Sequence, residues 1–203
     1  MTDGGLVLAS ASPRRRELLA AAGLAFVVDP SDADESLAGR PHPASAAREL
    51  AERKARAVAA RWEPPTWVLG ADTVVAVPGD DWTLLGKPGS EDEARAMLVQ
   101  LSDTRHAVVT GVSVVRAGAR DAWTDAETTW VRMRTITPAE IDAYVASGEW
   151  RDKAGGYAIQ ETADRFVVGL EGGGFDNVVG LPVALVLRLL ECAGAPLARW
   201  RER

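Results

Sequence analysis

Cysteine is nearly missing from this chain. A single residue, Cys192, among 203 excludes an internal disulfide and any multi-cysteine metal site, and it points to a reducing compartment. Histidine is almost as scarce. With only His42 and His106, chemistry that needs a histidine dyad or a His-rich zinc site lacks its ligands, so carboxylates, lysines and arginines are left to carry any reaction. Uncharged stretches such as Leu18 to Val28 fall well short of the ~18 residues a membrane span requires. Met1 to Gly5 has no basic region, so no leader is expected and the expected location is the cytoplasm. No G-x-G-x-x-G or G-x-x-x-x-G-K-[ST] run occurs, which removes the common dinucleotide and P-loop readings. Positive charge is not in excess either: 23 basic against 29 acidic residues give a net charge of −6. That balance argues against a nucleic-acid binder and leaves small phosphates open.

What is present is the composition of one ordinary globular domain, 47% apolar and 26% charged with the signs mixed along the chain. Leu6 to Ser10 reads as a buried strand. Ser12-Pro13 then opens a helix with an N-cap hydroxyl and a proline at the first helical position, and Gly23 ends it. Phe26 to Asp29 reads as a second strand, followed by a polar loop from Pro30 to Pro43 and a helix from Ala44 to Trp62. Trp67 to Val77 is the most strand-like run, and Pro78-Gly79-Asp80-Asp81 turns it back into a short strand ending near Leu85. Ser90-Glu91-Asp92-Glu93 and Thr137-Pro138-Ala139-Glu140 read as capping boxes. Between those two helices lie strands over His106 to Arg116 and Ala122 to Met133. A last strand, Phe166 to Leu170, and a last helix, from Pro182 to Gly194, follow. The alternation, interrupted by hairpins, predicts an α/β fold with a mixed sheet covered by helices rather than a doubly wound parallel sheet.

Several residues look chemical. Arg14, Arg15 and Arg16 fall in the first turn of a predicted helix, where the macrodipole disfavours cations. As a cluster beside Ser10-Ala11-Ser12 they suggest a phosphate site; singly, each is expected to extend into solvent. Asp72 interrupts an apolar strand, a costly place for a carboxylate unless it is paired, metal-bound or exposed in a cleft, and Gly70 and Ala71 leave room for a ligand to approach the backbone. Asp32, Asp34 and Glu35 offer oxygen ligands for Mg²⁺ or Mn²⁺, although acidic loop residues are usually just solvated. Lys54 lies on a basic helix face between Arg53 and Arg56, and Lys87 in a tight loop after a strand. Asp152-Lys153-Ala154-Gly155-Gly156-Tyr157, through Gln160, mixes charge with glycine as ligand-contacting loops do, and as plain surface turns also do.

Taken in order, Leu8-Ala9-Ser10-Ala11-Ser12-Pro13-Arg14-Arg15, Gly70-Ala71-Asp72-Thr73, Leu85-Gly86-Lys87-Pro88, Asp152-Lys153-Ala154-Gly155, Tyr157-Ala158-Ile159-Gln160 and Val178-Val179-Gly180-Leu181-Pro182 resemble the Maf family of nucleoside triphosphate pyrophosphatases. The resemblance runs from about Leu6 to Leu190. It implies a single Maf-like domain over residues 1–203, an elongated two-lobed α/β fold related to inosine triphosphate pyrophosphatases, with substrate in the cleft between lobes. It also implies metal-dependent hydrolysis of a nucleoside triphosphate to the monophosphate and pyrophosphate, the cation being Mg²⁺, Mn²⁺ or Co²⁺. Carried over position by position, the general base falls on Asp72, with Lys54 and Lys87 beside it in the reaction. Substrate contacts fall on Ser10, Arg14, Thr73, Asp152, Lys153 and Gln160, and metal ligands on Glu35 and Asp72. Arg14, Thr73 and Gln160 match the group acting on dTTP and UTP, and a glutamine amide can both donate to a pyrimidine carbonyl and accept from its N3–H. Gly156 and Ala158 around Tyr157 depart from the family's usual Gly-Ala-Tyr-Gly-Ile order, and Gly172-Gly173-Gly174-Phe175 replaces a more ordinary turn. The expected partner is a small-molecule triphosphate, with no nucleic acid and no membrane, and a homodimer is a possible assembly. Two other readings stay open: a nucleotide-binding regulator of septum formation with little turnover, and a pyrophosphatase for modified purine nucleotides such as 7-methyl-GTP.

Overall fold

The computed structural model describes residues 4–160 and 162–201. In chain order its elements are β1 (Leu6–Leu8), α1 (Pro13–Ala21), β2 (Val27–Val28), α2 (Pro43–Ala59), β3 (Trp67–Val77), β4 (Thr83–Leu85), α3 (Glu91–Leu101), β5 (Arg105–Arg116), β6 (Ala122–Met133), α4 (Pro138–Ser147), β7 (Val167–Glu171), α5 (Phe175–Val179), α6 (Val183–Cys192) and α7 (Leu197–Trp200). Short 3-10 turns cover Ala154–Gly156 and Thr162–Phe166. The strands follow the order β2-β1-β3-β5-β6-β7, with β4 on β3. β1 pairs in parallel with β2 and β3, whereas β3 with β4 and β6 with β7 are antiparallel. The class is therefore α/β with a mixed sheet and helices, as the order of elements predicts.

The chain forms two compact units. The first holds the chain up to Asp72, Thr110–Glu127 and the chain from Gly180 onward; the second holds Thr73–Val109 and Thr128–Val179. In the first unit, Leu6, Leu8 and Leu69 pack with Leu185, Val186 and Leu189 of α6. Val7, Val68 and Val115 pack with Ala55 and Val58 of α2. Strands covered on both faces carry unbroken apolar runs, which is why Trp67 to Ala71 shows no polar alternation. In the second unit, Val75, Leu85, Leu98 and Leu101 share a core with Tyr144 and Phe166.

Helix α2 lies unusually close to the sheet. A Cβ on Gly70 would meet the Ala51 carbonyl and Ala55, and one on Gly111 would meet the Ala47 carbonyl and the Arg48 nitrogen. The space at Gly70 is thus filled by a helix backbone, not left for a ligand. Ala47, Ala51 and Ala55, all fully buried, repeat every four residues and form the flat stripe that fits there.

Two helix starts follow local chemistry in full and a third only in part. Ser12 caps α1 ahead of Pro13, and Thr137 with Glu140 forms a full capping box on α4. On α3 only half of the expected box forms: Ser90 accepts from the Glu93 N–H at 3.2 Å, but the Glu93 carboxylate takes the N–H of Gly89, one residue earlier, at 2.6 Å. The last strand lies one residue later than expected, and the last helix spans Val183–Cys192. Helices α5 and α7 have no counterpart in the sequence reading. Helix α5 is five residues long after three glycines, and its buried Asn177 donates to the Val108 carbonyl (3.1 Å) and the Thr129 hydroxyl (2.8 Å). A helix that short, held by tertiary bonds, leaves no periodicity to read.

Candidate active site

Side chains alternate along a strand, so Val68, Gly70 and Asp72 share the face of β3 that looks at α2. Because Gly70 lets α2 settle onto that face, the next side chain along can be met from the helix. Lys54 meets it: its ammonium lies 2.5 Å from Asp72 Oδ1 and 2.6 Å from Glu35 Oε1. The side chains of Lys54 and Asp72 are 12% and 10% exposed, that of Glu35 47%. Asp72 is therefore a buried carboxylate with a cationic partner, as burial of a charge demands.

Glu35 is held in place by the same helix. Arg53 Nη1 donates to the carbonyls of Asp34 and Ser36, both at 2.7 Å, gripping the chain on either side of Glu35. The other two acids of that loop turn away. Asp34 accepts from the Ser36 N–H (2.9 Å) and hydroxyl (2.5 Å), bonds that lower its pKa, the hydroxyl most. Asp32 pairs with Arg61 at 3.4 Å. An Asx turn and a surface ion pair thus account for two of the three acids offered as metal ligands. The basic face of α2 is likewise not merely solvated: Arg53 clamps the Glu35 loop, Arg56 reaches the Arg120 carbonyl at 2.9 Å, and Lys54 enters the site.

At the start of α1 the two neighbouring arginines take different places. Arg14 is half-buried at the second helical position. Arg15 turns inward: its Nε donates to the Gly180 carbonyl (2.8 Å), and its Nη1 to the Ala71 carbonyl (2.8 Å) and to Ser10 Oγ (3.3 Å). Burial lowers the pKa of the guanidinium, while Asp72 and Glu35 attract its charge and raise it. Ser10, 7% exposed, also accepts from the Ser12 N–H at 3.2 Å. Ser10, Arg15, Glu35, Lys54 and Asp72 therefore form one connected cluster within the first unit. Arg15 and Arg53 were not singled out from the sequence, and only the misfit of a cation at a helix N-terminus hinted at the former.

The remaining candidates belong to the second unit. Thr73 is half-buried and Lys87 is exposed on the loop after β4. That loop is tied to the Asp152–Lys153 segment, because the Gly155 N–H donates to the Gly86 carbonyl at 3.0 Å. Asp152 is exposed at φ 61°, and the Lys153 ammonium donates to the Glu149 carbonyl. Gln160 is exposed and lines an open depression of about 590 Å³ with Ile159, Asp164, Val167, Leu170 and Phe175. Behind that segment Tyr157 is anchored by a buried hydrogen bond of 2.7 Å between its hydroxyl and His106 Nε2. Burial raises the Tyr157 pKa and pushes that of His106 down to about 4. His106 Nδ1 is buried with no hydrogen-bond partner.

The family model described as Maf-like protein matches residues 5–193, a span that contains every residue of the cluster. This chain belongs to the Maf-like family. Among its curated Maf-like relatives, the dTTP/UTP pyrophosphatase of Thermomicrobium roseum is 52% identical over 199 residues, covering 98% of this chain and 88% of the relative. Those of Salinibacter ruber and Moorella thermoacetica are 52% and 50% identical, covering 95% and 93% of this chain and 92% and 95% of their own. A solved nucleoside-triphosphatase / dITP/XTP pyrophosphatase from Mycobacterium abscessus aligns over 71% of this Maf-like chain and 95% of its own at 15% identity, with a TM-score of 0.40. A likeness that slight supports no argument.

The donor set can be tested against a divalent metal. Among the described residues no group of three or more His, Cys, Asp or Glu side chains is gathered as an all-protein metal cage. Two carboxylate oxygens, from Glu35 and Asp72, nonetheless converge on one cationic atom of this Maf-like protein. Two hard oxygens fit Mg²⁺ or Mn²⁺, which bind through one or two carboxylates and complete their shell with water and substrate phosphates. No helix is long and apolar enough to cross a membrane among the described residues.

Proposed function

We propose that this chain hydrolyses dTTP and UTP to the nucleoside monophosphate and pyrophosphate, with Asp72 as the general base. The observation that carries the reading is the ion-pair cluster in which the buried Asp72 and the exposed Glu35 share the Lys54 ammonium. The names of relatives at 50–52% identity over nearly the whole chain support the choice of substrate.

In this reading Asp72 accepts the proton of the water that attacks the α-phosphorus. The Ser10 hydroxyl and the Arg14 N–H face phosphate oxygens at the start of α1, where Pro13 has no N–H and that of Arg15 donates to the Ser12 hydroxyl, and where a helix N-terminus favours an anion. Arg14, Lys54 and Lys87 neutralise charge that would otherwise oppose departure of pyrophosphate. Glu35 and Asp72 would hold the divalent cation, Mg²⁺, Mn²⁺ or Co²⁺, which would supply polarisation of the phosphate oxygens and a lowered pKa of water. Gln160 reads the pyrimidine edge, Thr73 supports that selection, and Asp152 and Lys153 contact substrate.

The test is product analysis across dTTP, UTP, CTP, GTP and 7-methyl-GTP with each metal. One pyrophosphate per monophosphate from dTTP and UTP, abolished by EDTA, is the expected result. Orthophosphate with a diphosphate would remove the α–β cleavage, and binding without turnover would favour a regulator. A preference for 7-methyl-GTP would move the chain to the other substrate group.

A further inference from the structure

Arg15 occupies a position that local physics disfavours. It is the third residue of α1, where the helix dipole repels a cation, and it is half-buried, with desolvation lowering the pKa of its guanidinium. Among what holds it are acceptors from three separate segments of the first unit: Ser10 Oγ, the Ala71 carbonyl and the Gly180 carbonyl. Gly180 stands at φ 120°, a conformation that L side chains rarely adopt, so this acceptor is built on a glycine. A planar guanidinium spreads its donors in a rigid fork, and a lysine ammonium, a single point, cannot span the same acceptors.

Two of those bonds reach the proposed chemistry. Ser10 Oγ accepts from the Ser12 N–H at 3.2 Å and from Arg15 Nη1 at 3.3 Å. A hydroxyl has two lone pairs and one proton, so with both lone pairs engaged Ser10 faces a ligand as a donor, the polarity a phosphate oxygen requires. The Ala71 carbonyl belongs to the peptide that leads directly into Asp72, so the same guanidinium fixes the backbone from which the Asp72 carboxylate leaves.

We propose that Arg15 is a positioning residue of the triphosphate site: it orients the Ser10 hydroxyl as a donor to a phosphate oxygen and holds the Ala71-Asp72 backbone in register with it. The inference rests on the pyrophosphatase reading above and adds a second role to the arginine pair, distinct from the substrate contact assigned to Arg14.

The experiment is a double-mutant cycle of Arg15→Lys and Ser10→Ala, read as kcat and KM for dTTP, with calorimetric binding of inorganic pyrophosphate and thermal melting on the same samples. Arg15→Lys should lower kcat/KM by about 10- to 100-fold, the scale of a small misplacement of reacting groups, with kcat carrying most of it. The double variant should lose clearly less than the product of the two single losses, because a misoriented Ser10 has little left to lose. Losses that multiply in full, or an Arg15→Lys protein with the parent's kcat and KM, would overturn the proposal. If Arg15→Lys melts below the assay temperature, Arg15→Ala with added methylguanidinium replaces it; restored turnover supports the proposal and none overturns it. Failure of the pyrophosphatase reading shows separately, as a parent protein that releases no pyrophosphate from any triphosphate. The coupling of Arg15 to Ser10 is then read from pyrophosphate binding alone.

Discussion

Gly70 lies so close to Ala55 that a Cβ built on the glycine would sit 2.7 Å from the Ala55 nitrogen and 2.8 Å from its Cβ. Backbone cannot give way as a flexible side chain can, so Gly70→Ala must lift α2 or bend β3. Overpacking of this kind costs about 1–3 kcal/mol, occasionally more. Melting should fall by roughly 2–4 °C per kcal/mol in a chain of this size, and turnover should fall with it, since Lys54 rides on the displaced helix. Gly5→Ala, with nothing within 4 Å of the added carbon, is the control and should melt close to the parent.

Asp72→Asn keeps the shape of the side chain and removes the proposed base. Lys54 retains Glu35 at 2.6 Å, so the fold should survive in a melting experiment. Turnover of dTTP should drop by roughly 10²–10⁴-fold, the range for loss of a general base. Near-parental turnover would transfer the role to another carboxylate, with Glu35 the first to test.

Gln160 is exposed, so its truncation removes a recognition group without opening the core. In Gln160→Ala, kcat/KM for dTTP and UTP should fall by roughly 1–3 kcal/mol through a higher KM, with the melting temperature unchanged. CTP and GTP should lose less. Equal losses across the four would end the specificity role.

His106 makes stability depend on pH. Its folded pKa of about 4 lies below the ordinary histidine value of 6.5, because burial disfavours the charged ring. Between those values the unfolded chain binds the extra proton, so the contribution is present in full above pH 6.5 and is lost as pH falls toward 4. The total is about 3 kcal/mol at 1.36 kcal/mol per pH unit. Denaturant titrations from pH 7 to 4 on the parent and on His106→Gln check it, and a variant with an equally steep acid limb would clear His106 of the effect.

Thr137 caps α4 through its hydroxyl, and the Glu140 carboxylate returns a bond to the Thr137 N–H at 2.9 Å. Thr137→Ala should cost about 1 kcal/mol, typical of a lost N-cap, and leave kcat and KM for dTTP unaltered.

Much of this architecture is legible in the residues themselves. The ends of β3 and β6 fall where the strand-like runs end, and α1 and α4 start directly after their caps, Ser12 and Thr137. The signals there, an alternating or unbroken apolar run, a capping hydroxyl or a proline at the first turn, act between residues a few positions apart. The half-formed box on α3 marks the limit of that logic: the Glu93 carboxylate takes the N–H of Gly89, and the spacing of Glu93 from Ser90 did not say so.

The site divides along the same line. Ser10, Glu35, Lys54 and Asp72 could be named from the sequence and its family resemblance, but not which neighbour would do what. Arg14 and Arg15 are chemically identical, and only the turn of α1 against β3 sends the second to the Ala71 and Gly180 carbonyls. Asp32, Asp34 and Glu35 are three similar acids in one loop, and the reach of Arg53 and Arg61 from α2 and its end decides that Glu35 alone meets Lys54. Gly70 read as space for a ligand because a missing side chain does not reveal what fills its place. Local propensity acts between near neighbours and was determined by the sequence alone. The convergence of residues 35, 54 and 72 was decided only when the alternation of a strand met the register of a helix lying on it.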